Sequence, residues 1–162
     1  MTKKISEDCL ALWRQLVEAE KAFYSARMEL FSKCRDSLVE LIQNRLNIDR
    51  VTAINLVPLL TVDERKLLFD DILSLASFGH GLIGSVRDVI LSMPSDWLLA
   101  NIEKSAEPLL GLNDLEVYGR LLEFFVEIDR DLALRLARRA AAHADGDIRE
   151  AGEHFIDILE SE

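Results

Sequence analysis

The sequence predicts an all-helical protein. Gly (7) and Pro (3) are both scarce among 162 residues, while Leu, Ala, Glu and Arg are abundant, which favours helices over strands. Apolar residues recur at three- and four-residue steps along most of the chain, and no segment alternates apolar and polar residues as a strand would. Capping and turn signals separate the periodic segments, which predicts eight or nine helices with short joints.

The N-terminal segment predicts one long amphipathic helix that begins after the candidate N-cap Ser6. The apolar pattern continues to Leu46, and one helix from 6 to 46 would be about 60 Å long, so we expect a break near residues 32–36. The apolar arc is wider than a coiled-coil seam, so this helix either packs on two neighbours or presents part of its face to a partner. The arc combines two rows: Cys9, Leu12, Leu16, Ala19, Phe23, Ala26 and Leu30, beside Leu10, Trp13, Val17, Tyr24, Met28 and Phe31.

Capping residues and turns divide the rest of the chain. The candidate N-caps are Asp49, Thr61, Asn113, Asp129 and Asp147, and Glu64, Glu116 and Glu150 complete three capping boxes. Pro108 and Gly111 predict a loop. The predicted helices span residues 50–60, 62–77, 82–92, 96–106, 114–128, 130–144 and 148–160.

Internal similarity indicates a repeat of one helix pair. The anchor residues Ala53, Val86, Leu121 and Gly152 occupy equivalent places in four segments, spaced by 33, 35 and 31 residues. Two of these segments, DIREA at 147–151 and VRDV at 86–89, carry an aliphatic residue followed by Arg. This pattern resembles HEAT-like repeats, in particular the short-period phycobilisome-lyase type, over residues 49–160.

The resemblance implies an architecture. It would make residues 1–162 a single all-helical domain, an α-solenoid of stacked antiparallel helix pairs in which each pair completes the core of its neighbour. Residues 1–46 would form an N-terminal helical cap that includes the long helix, and residues 47–162 would form the HEAT-like repeats. A fold of this type does not by itself imply an activity.

Motifs for chemistry are weak in this sequence. The segment HADGDIREAGEHF, residues 143–155, fails the calcium-loop pattern at three positions, and a zinc site would need His143 and His154 to converge from two helices. His80 lies in a Gly-rich turn that matches no phosphate-binding fingerprint. We expect no metal site, no cofactor and no enzymatic activity, and we expect Cys9 and Cys34 to be buried free thiols.

Compartment signals are also few. The sequence has no apolar run long enough to span a membrane and no secretory signal pattern, so we expect a cytoplasmic protein without a membrane partner. Arginines cluster at positions 130, 135, 138 and 139, and a basic cluster is a feature of nucleic-acid-binding proteins. The acidic surroundings and the lack of interleaved aromatic residues argue against a nucleic-acid partner.

Charge is the feature that points to a function. The net charge is −10, and residues 113–162 hold thirteen acidic and six basic residues. This predicts a non-enzymatic interaction module whose acidic C-terminal surface binds a basic protein, one version being a bacterial immunity protein that neutralises a nuclease toxin. The alternatives are an oligomerising scaffold or adaptor that dimerises through the N-terminal helix, and an enzyme on a repeat scaffold. The candidate partner-binding residues are Asp114, Glu116, Glu123, Glu127, Asp145, Asp147, Glu150 and Glu153.

Overall fold

The computed structural model describes residues 5–161, and within this range it is all-helical with no strand. The all-α prediction is confirmed. The chain divides into two compact units, the first reaching Leu41 and the second beginning at Ile42. The described helices are α1 Glu7–Lys33, α2 Leu38–Arg45, α3 Arg50–Leu56, α4 Val62–Leu67, α5 Phe69–Ala76, α6 Ile83–Leu91, α7 Ser95–Leu110, α8 Leu115–Ile128, α9 Arg130–Ala141 and α10 Gly146–Ser161, with 3₁₀ turns at Arg35–Ser37 and Val57–Leu59.

The long N-terminal helix begins and breaks where the sequence indicates. The Ser6 side chain accepts a hydrogen bond from the backbone N–H of Cys9 at 3.2 Å and so caps α1. α1 ends at Lys33, and the 3₁₀ turn separates it from α2, which confirms the expected break. α1 buries none of its residues, and Cys9 is exposed while Cys34 is half-buried, so the expectation of buried thiols was wrong.

The core of the second unit is built mainly by α5, α8 and α9. α5 packs against α6 and α7, and α9 packs against α8 and α10. α8 is the most apolar contributor, because Tyr118, Leu121, Phe124 and Phe125 are all buried. Burial of one such side chain stabilises a fold by about 1.5–3 kcal/mol, so α8 supplies a large part of the stability of this unit.

α9 and α10 approach closely because both carry small residues at their contact. Ala133, Ala137 and Ala140 of α9 are buried, and Gly152 of α10 is buried against them. A Cβ atom placed on Gly152 would lie 2.7 Å from the carbonyl oxygen of Ala137 and would overlap the backbone nitrogen of Ala141. The glycine therefore permits this approach.

Several predicted helix ends were wrong. α7 continues through Pro108 to Leu110, where a loop was predicted, and the segment predicted as one helix over 62–77 breaks at Leu68. The N-cap of α8 is Asp114 instead of Asn113. The first turn of α10 is capped by Asp145 instead of Asp147, because the Asp145 carboxylate accepts the backbone N–H of Asp147 at 2.9 Å.

Candidate interaction surfaces

Two of the predicted partner-binding carboxylates already neutralise a cation of the same unit. The Arg87 side chain, which is 14% exposed, lies 3.2 Å from Glu123 and 3.0 Å from Glu127. It also donates to the backbone carbonyl of Arg120 at 3.2 Å and lies over the Phe124 ring. Glu123 and Glu127 therefore join α8 to α6, and less of their charge is left for a partner.

Three more of the predicted carboxylates serve the backbone. Glu116 accepts the N–H of Gly79 at 2.7 Å, which ties α8 to the turn after α5. Asp114 accepts the N–H of Val117 and caps α8, while Asp145 caps α10. These side chains satisfy donors at helix ends and turns, which is a structural use of their charge.

The remaining three predicted residues form a stripe on α10. Asp147, Glu150 and Glu153 are exposed, and none of the described residues gives their carboxylates a hydrogen-bond or ion-pair partner. Asp157 continues the stripe one turn further and was missing from the predicted set, although its spacing of seven residues from Glu150 places it on the same face. We call Asp147, Glu150, Glu153 and Asp157 the α10 acidic stripe.

The arginines of α9 bind acidic or carbonyl groups of neighbouring helices. Arg135 makes a bidentate pair with Glu103 at 2.9 and 3.0 Å, and the hydrogen bonds to Glu103 raise the pKa of Arg135. Arg139 pairs with Glu107, which raises the pKa of Arg139 in the same way. Arg138 pairs with Glu160 at 3.2 Å and Arg130 donates to the carbonyl of Leu159. These cations are therefore not a free basic patch for phosphates.

Two of the three histidines considered for metal or phosphate binding, His80 and His143, are hydrogen-bonded within the fold. His143 lies with one ring nitrogen 3.0 Å from the Asn113 side-chain oxygen, and its other nitrogen accepts the N–H of Asp145 at 3.0 Å. His80 likewise lies 2.8 Å from the carbonyl of Leu75 and accepts the N–H of Leu82. Each ring thus links a turn to a neighbouring segment.

α1 leaves much of its apolar face exposed. Leu12 and Trp13 are 65% and 64% exposed, and Leu16, Phe23, Tyr24 and Met28 are all at least half exposed. Glu20 and Arg27 lie inside this apolar arc, one heptad apart, and the Arg27 guanidinium lies 5.2 Å from the Tyr24 ring centre. Exposed apolar patches of this kind mark interaction sites.

Comparisons of this chain with protein-family models, with curated proteins and with solved structures give no match. Within residues 5–161, no three His, Cys, Asp or Glu side chains come together as a metal site would require. None of the helices in the described range combines the length and apolarity needed to cross a membrane.

Proposed function

We propose that this chain is a non-enzymatic, cytoplasmic protein-interaction module whose α10 acidic stripe binds a basic protein. The observation that carries the proposal is the division of the acidic residues into two groups. Five predicted carboxylates are used within the fold, whereas Asp147, Glu150 and Glu153 have no partner among the described residues. Exposed carboxylates arranged along one helix attract cations and speed their association.

The stripe belongs to α10, which is one helix of a proposed HEAT-like stack. Ion pairs join two sets of helices that are separated by one helix in the chain, because Arg87 of α6 pairs with Glu123 of α8 and Arg135 of α9 pairs with Glu103 of α7. α5 also packs on α7, and α8 packs on α10. These contacts support two rows of helices, one of α5, α7 and α9 and the other of α6, α8 and α10. α10 packs on α8 and α9 through Ile148, Gly152 and Leu159 and leaves the acidic stripe exposed, so a partner has access to it.

Charge reversal on α10 tests the proposal. We expect a basic protein captured from a lysate of the native host, and identified by mass spectrometry, to be lost when Glu150, Glu153 and Asp157 are all changed to Lys. The control reverses three exposed carboxylates elsewhere, Asp8, Glu40 and Asp96, and should retain capture. Raising the salt concentration should weaken capture of the same protein. Capture that is indifferent to both the α10 changes and salt would overturn the proposal.

One concrete form of this function is a bacterial immunity protein that neutralises a basic nuclease toxin. Its test is the neighbouring gene, which should encode a toxin-like C-terminal domain, followed by co-expression. Co-expressed wild-type chain should protect cells from that domain, and the α10 triple variant should not. Protection by both chains would support the immunity function but would show that the α10 acidic stripe is not needed for it.

The second candidate function is self-association through α1, as an oligomerising scaffold or adaptor. The observation that favours it is the exposed row that includes Leu12, Trp13, Leu16 and Phe23. Burying such a row against a second helix is the usual way in which an amphipathic helix gains stability in water. Light scattering should give an oligomer for the full chain, and a strictly monomeric chain would remove this candidate.

A further inference from the structure

We propose that the second copy on the α1 face lies antiparallel, in the register that places residue i opposite residue 42 − i. This inference rests on the self-association candidate and adds its geometry. The seam consists of the a and d positions of α1, which are Cys9, Leu12, Leu16, Ala19, Phe23, Ala26 and Leu30. The register overlaps residues 9–33, nearly the whole helix.

Side-chain size selects the antiparallel direction. In this register Leu16 faces Ala26 of the second copy and Phe23 faces Ala19, so at these four central layers a large residue meets a small one, while Leu12 faces Leu30 at each end. A parallel pair would instead place Phe23 on Phe23 and Ala19 on Ala19, alternating crowded and empty layers. Well-packed seams pair large residues with small ones, because both overpacking and cavities are destabilising.

Charge selects the same direction. Residues 7–20 of α1 hold four acidic residues and one basic residue, whereas residues 21–33 hold three basic residues and one acidic residue. Antiparallel pairing sets the acidic half of each copy against the basic half of the other, and the two helix dipoles also oppose each other. Parallel pairing would set like charges together.

The register also explains two charged residues within the apolar arc. Glu20 and Arg27 occupy e positions, which flank the seam. Glu20 of one copy and Arg27 of the other are offset by five residues, about 7.5 Å along the axis. Side chains tilt toward the N-terminus of their own helix, so these two lean toward each other and form two symmetric ion pairs.

The available surface suits a stable pair. Trp13 and Phe23, which lie beside and on the seam, are 64% and 50% exposed, so two aromatic rings of about 150–250 Å² contribute roughly 250 Å² per copy. The aliphatic seam adds a comparable area, which brings the pair to about 1,000 Å², the smallest total expected of a specific interface.

Cysteine cross-linking tests the direction on the full chain. The register places Cys9 of one copy beside Cys34 of the other, whereas the two copies of Cys9 lie about 36 Å apart. We expect a short bis-maleimide to link wild-type chains into covalent dimers. Neither Cys9→Ser nor Cys34→Ser chains should link alone, but their mixture should. Cross-linking within one chain is prevented by the length of α1.

Each outcome of this experiment decides something different. Linking of Cys34→Ser chains on their own means a parallel pair, which overturns the register and leaves self-association intact. A chain that sediments as a monomer, with no linking in any sample, overturns self-association and the register together. If the chain is a dimer but neither the wild-type chains nor the mixed variants are linked, the two copies meet at another surface. That outcome overturns the register.

Charge swapping provides the second test. Glu20→Arg alone and Arg27→Glu alone should each raise the dimer dissociation constant about tenfold, because two sites per dimer become repulsive. The double variant Glu20→Arg with Arg27→Glu should restore it. Arg14→Glu, which makes the same charge change on the polar face of α1, is the matched control and should have little effect. A double variant weaker than either single one would contradict the pairing.

Discussion

α1 and α8 are both amphipathic helices with wide apolar faces, yet their environments differ completely. α8 buries Tyr118, Leu121 and Phe124 within the second unit, while α1 buries no residue at all. Their sequences show the same three- and four-residue apolar spacing. Periodicity therefore predicts that a helix has an apolar face, but it does not predict whether the same chain or another molecule covers that face.

Leucine truncation should give the largest difference in stability between α8 and α1. Leu121→Ala removes a fully buried side chain from α8 and should lower the free energy of unfolding by about 2–5 kcal/mol. Leu16→Ala, at a half-exposed position of α1, should change the stability of the second unit by less than about 0.5 kcal/mol. Urea unfolding of both variants at one chain concentration checks this. Equal losses would mean that α1 is part of the same core.

Glycine substitution probes packing within the second unit. Gly152→Ala should cost about 2–3 kcal/mol, because the added Cβ meets the backbone of α9 and the helices must separate. Gly119→Ala in α8 is the matched control, since a Cβ there meets no atom within 4 Å. It should stabilise the chain by about 0.5–1 kcal/mol through helix propensity. Thermal denaturation of both variants measures the difference, and losses of similar size would refute the close α9–α10 approach.

The ion pairs of the two units differ in burial, so breaking them should have different effects on stability. Arg87→Met leaves Glu127 without its partner and should cost about 1–3 kcal/mol, since this guanidinium is largely buried. Lys21→Met breaks the pair with Glu18 in α1, where both side chains are mostly exposed, and should cost less than about 0.5 kcal/mol. Chemical denaturation can resolve the two. A costly Lys21→Met would show that α1 depends on its surface charges.

Capping gives the smallest effect. Asp145→Ala should destabilise the chain by about 1 kcal/mol, because the first turn of α10 loses its acceptor. Asp147→Ala should change stability by less than about 0.5 kcal/mol, since its carboxylate accepts no bond from the described residues. Paired melting curves test the assignment, and a larger loss for Asp147→Ala would restore the capping box that the sequence predicted.

Local signals predicted the helices well and their ends less well. The capping box of Thr61 and Glu64 is present as predicted, because only one candidate cap lies at that boundary. Two acceptors compete before α8 and before α10, and spacing alone chose the wrong one each time. Pro108 lies in the last turn of α7, where loss of one hydrogen bond is tolerated while Leu110 stays buried.

The candidate surfaces were harder to predict than the helices. The sequence shows that Glu123 and Glu127 are acidic, but their partner Arg87 lies more than thirty residues earlier in the chain. Only tertiary packing brings these charges together. The free carboxylates of α10 differ from them in no local respect, so composition could indicate an acidic region but not which of its residues remain available.

The most direct test of the account is sedimentation velocity on the full chain over a range of concentrations, with and without Leu16→Asp. We predict a reversible dimer for the wild-type chain and a monomer for the variant, with far-UV circular dichroism and a cooperative urea transition showing that the variant remains folded. A wild-type chain that remains monomeric at every concentration, or a Leu16→Asp chain that still dimerises, would contradict the claim that α1 presents its apolar face to a second copy.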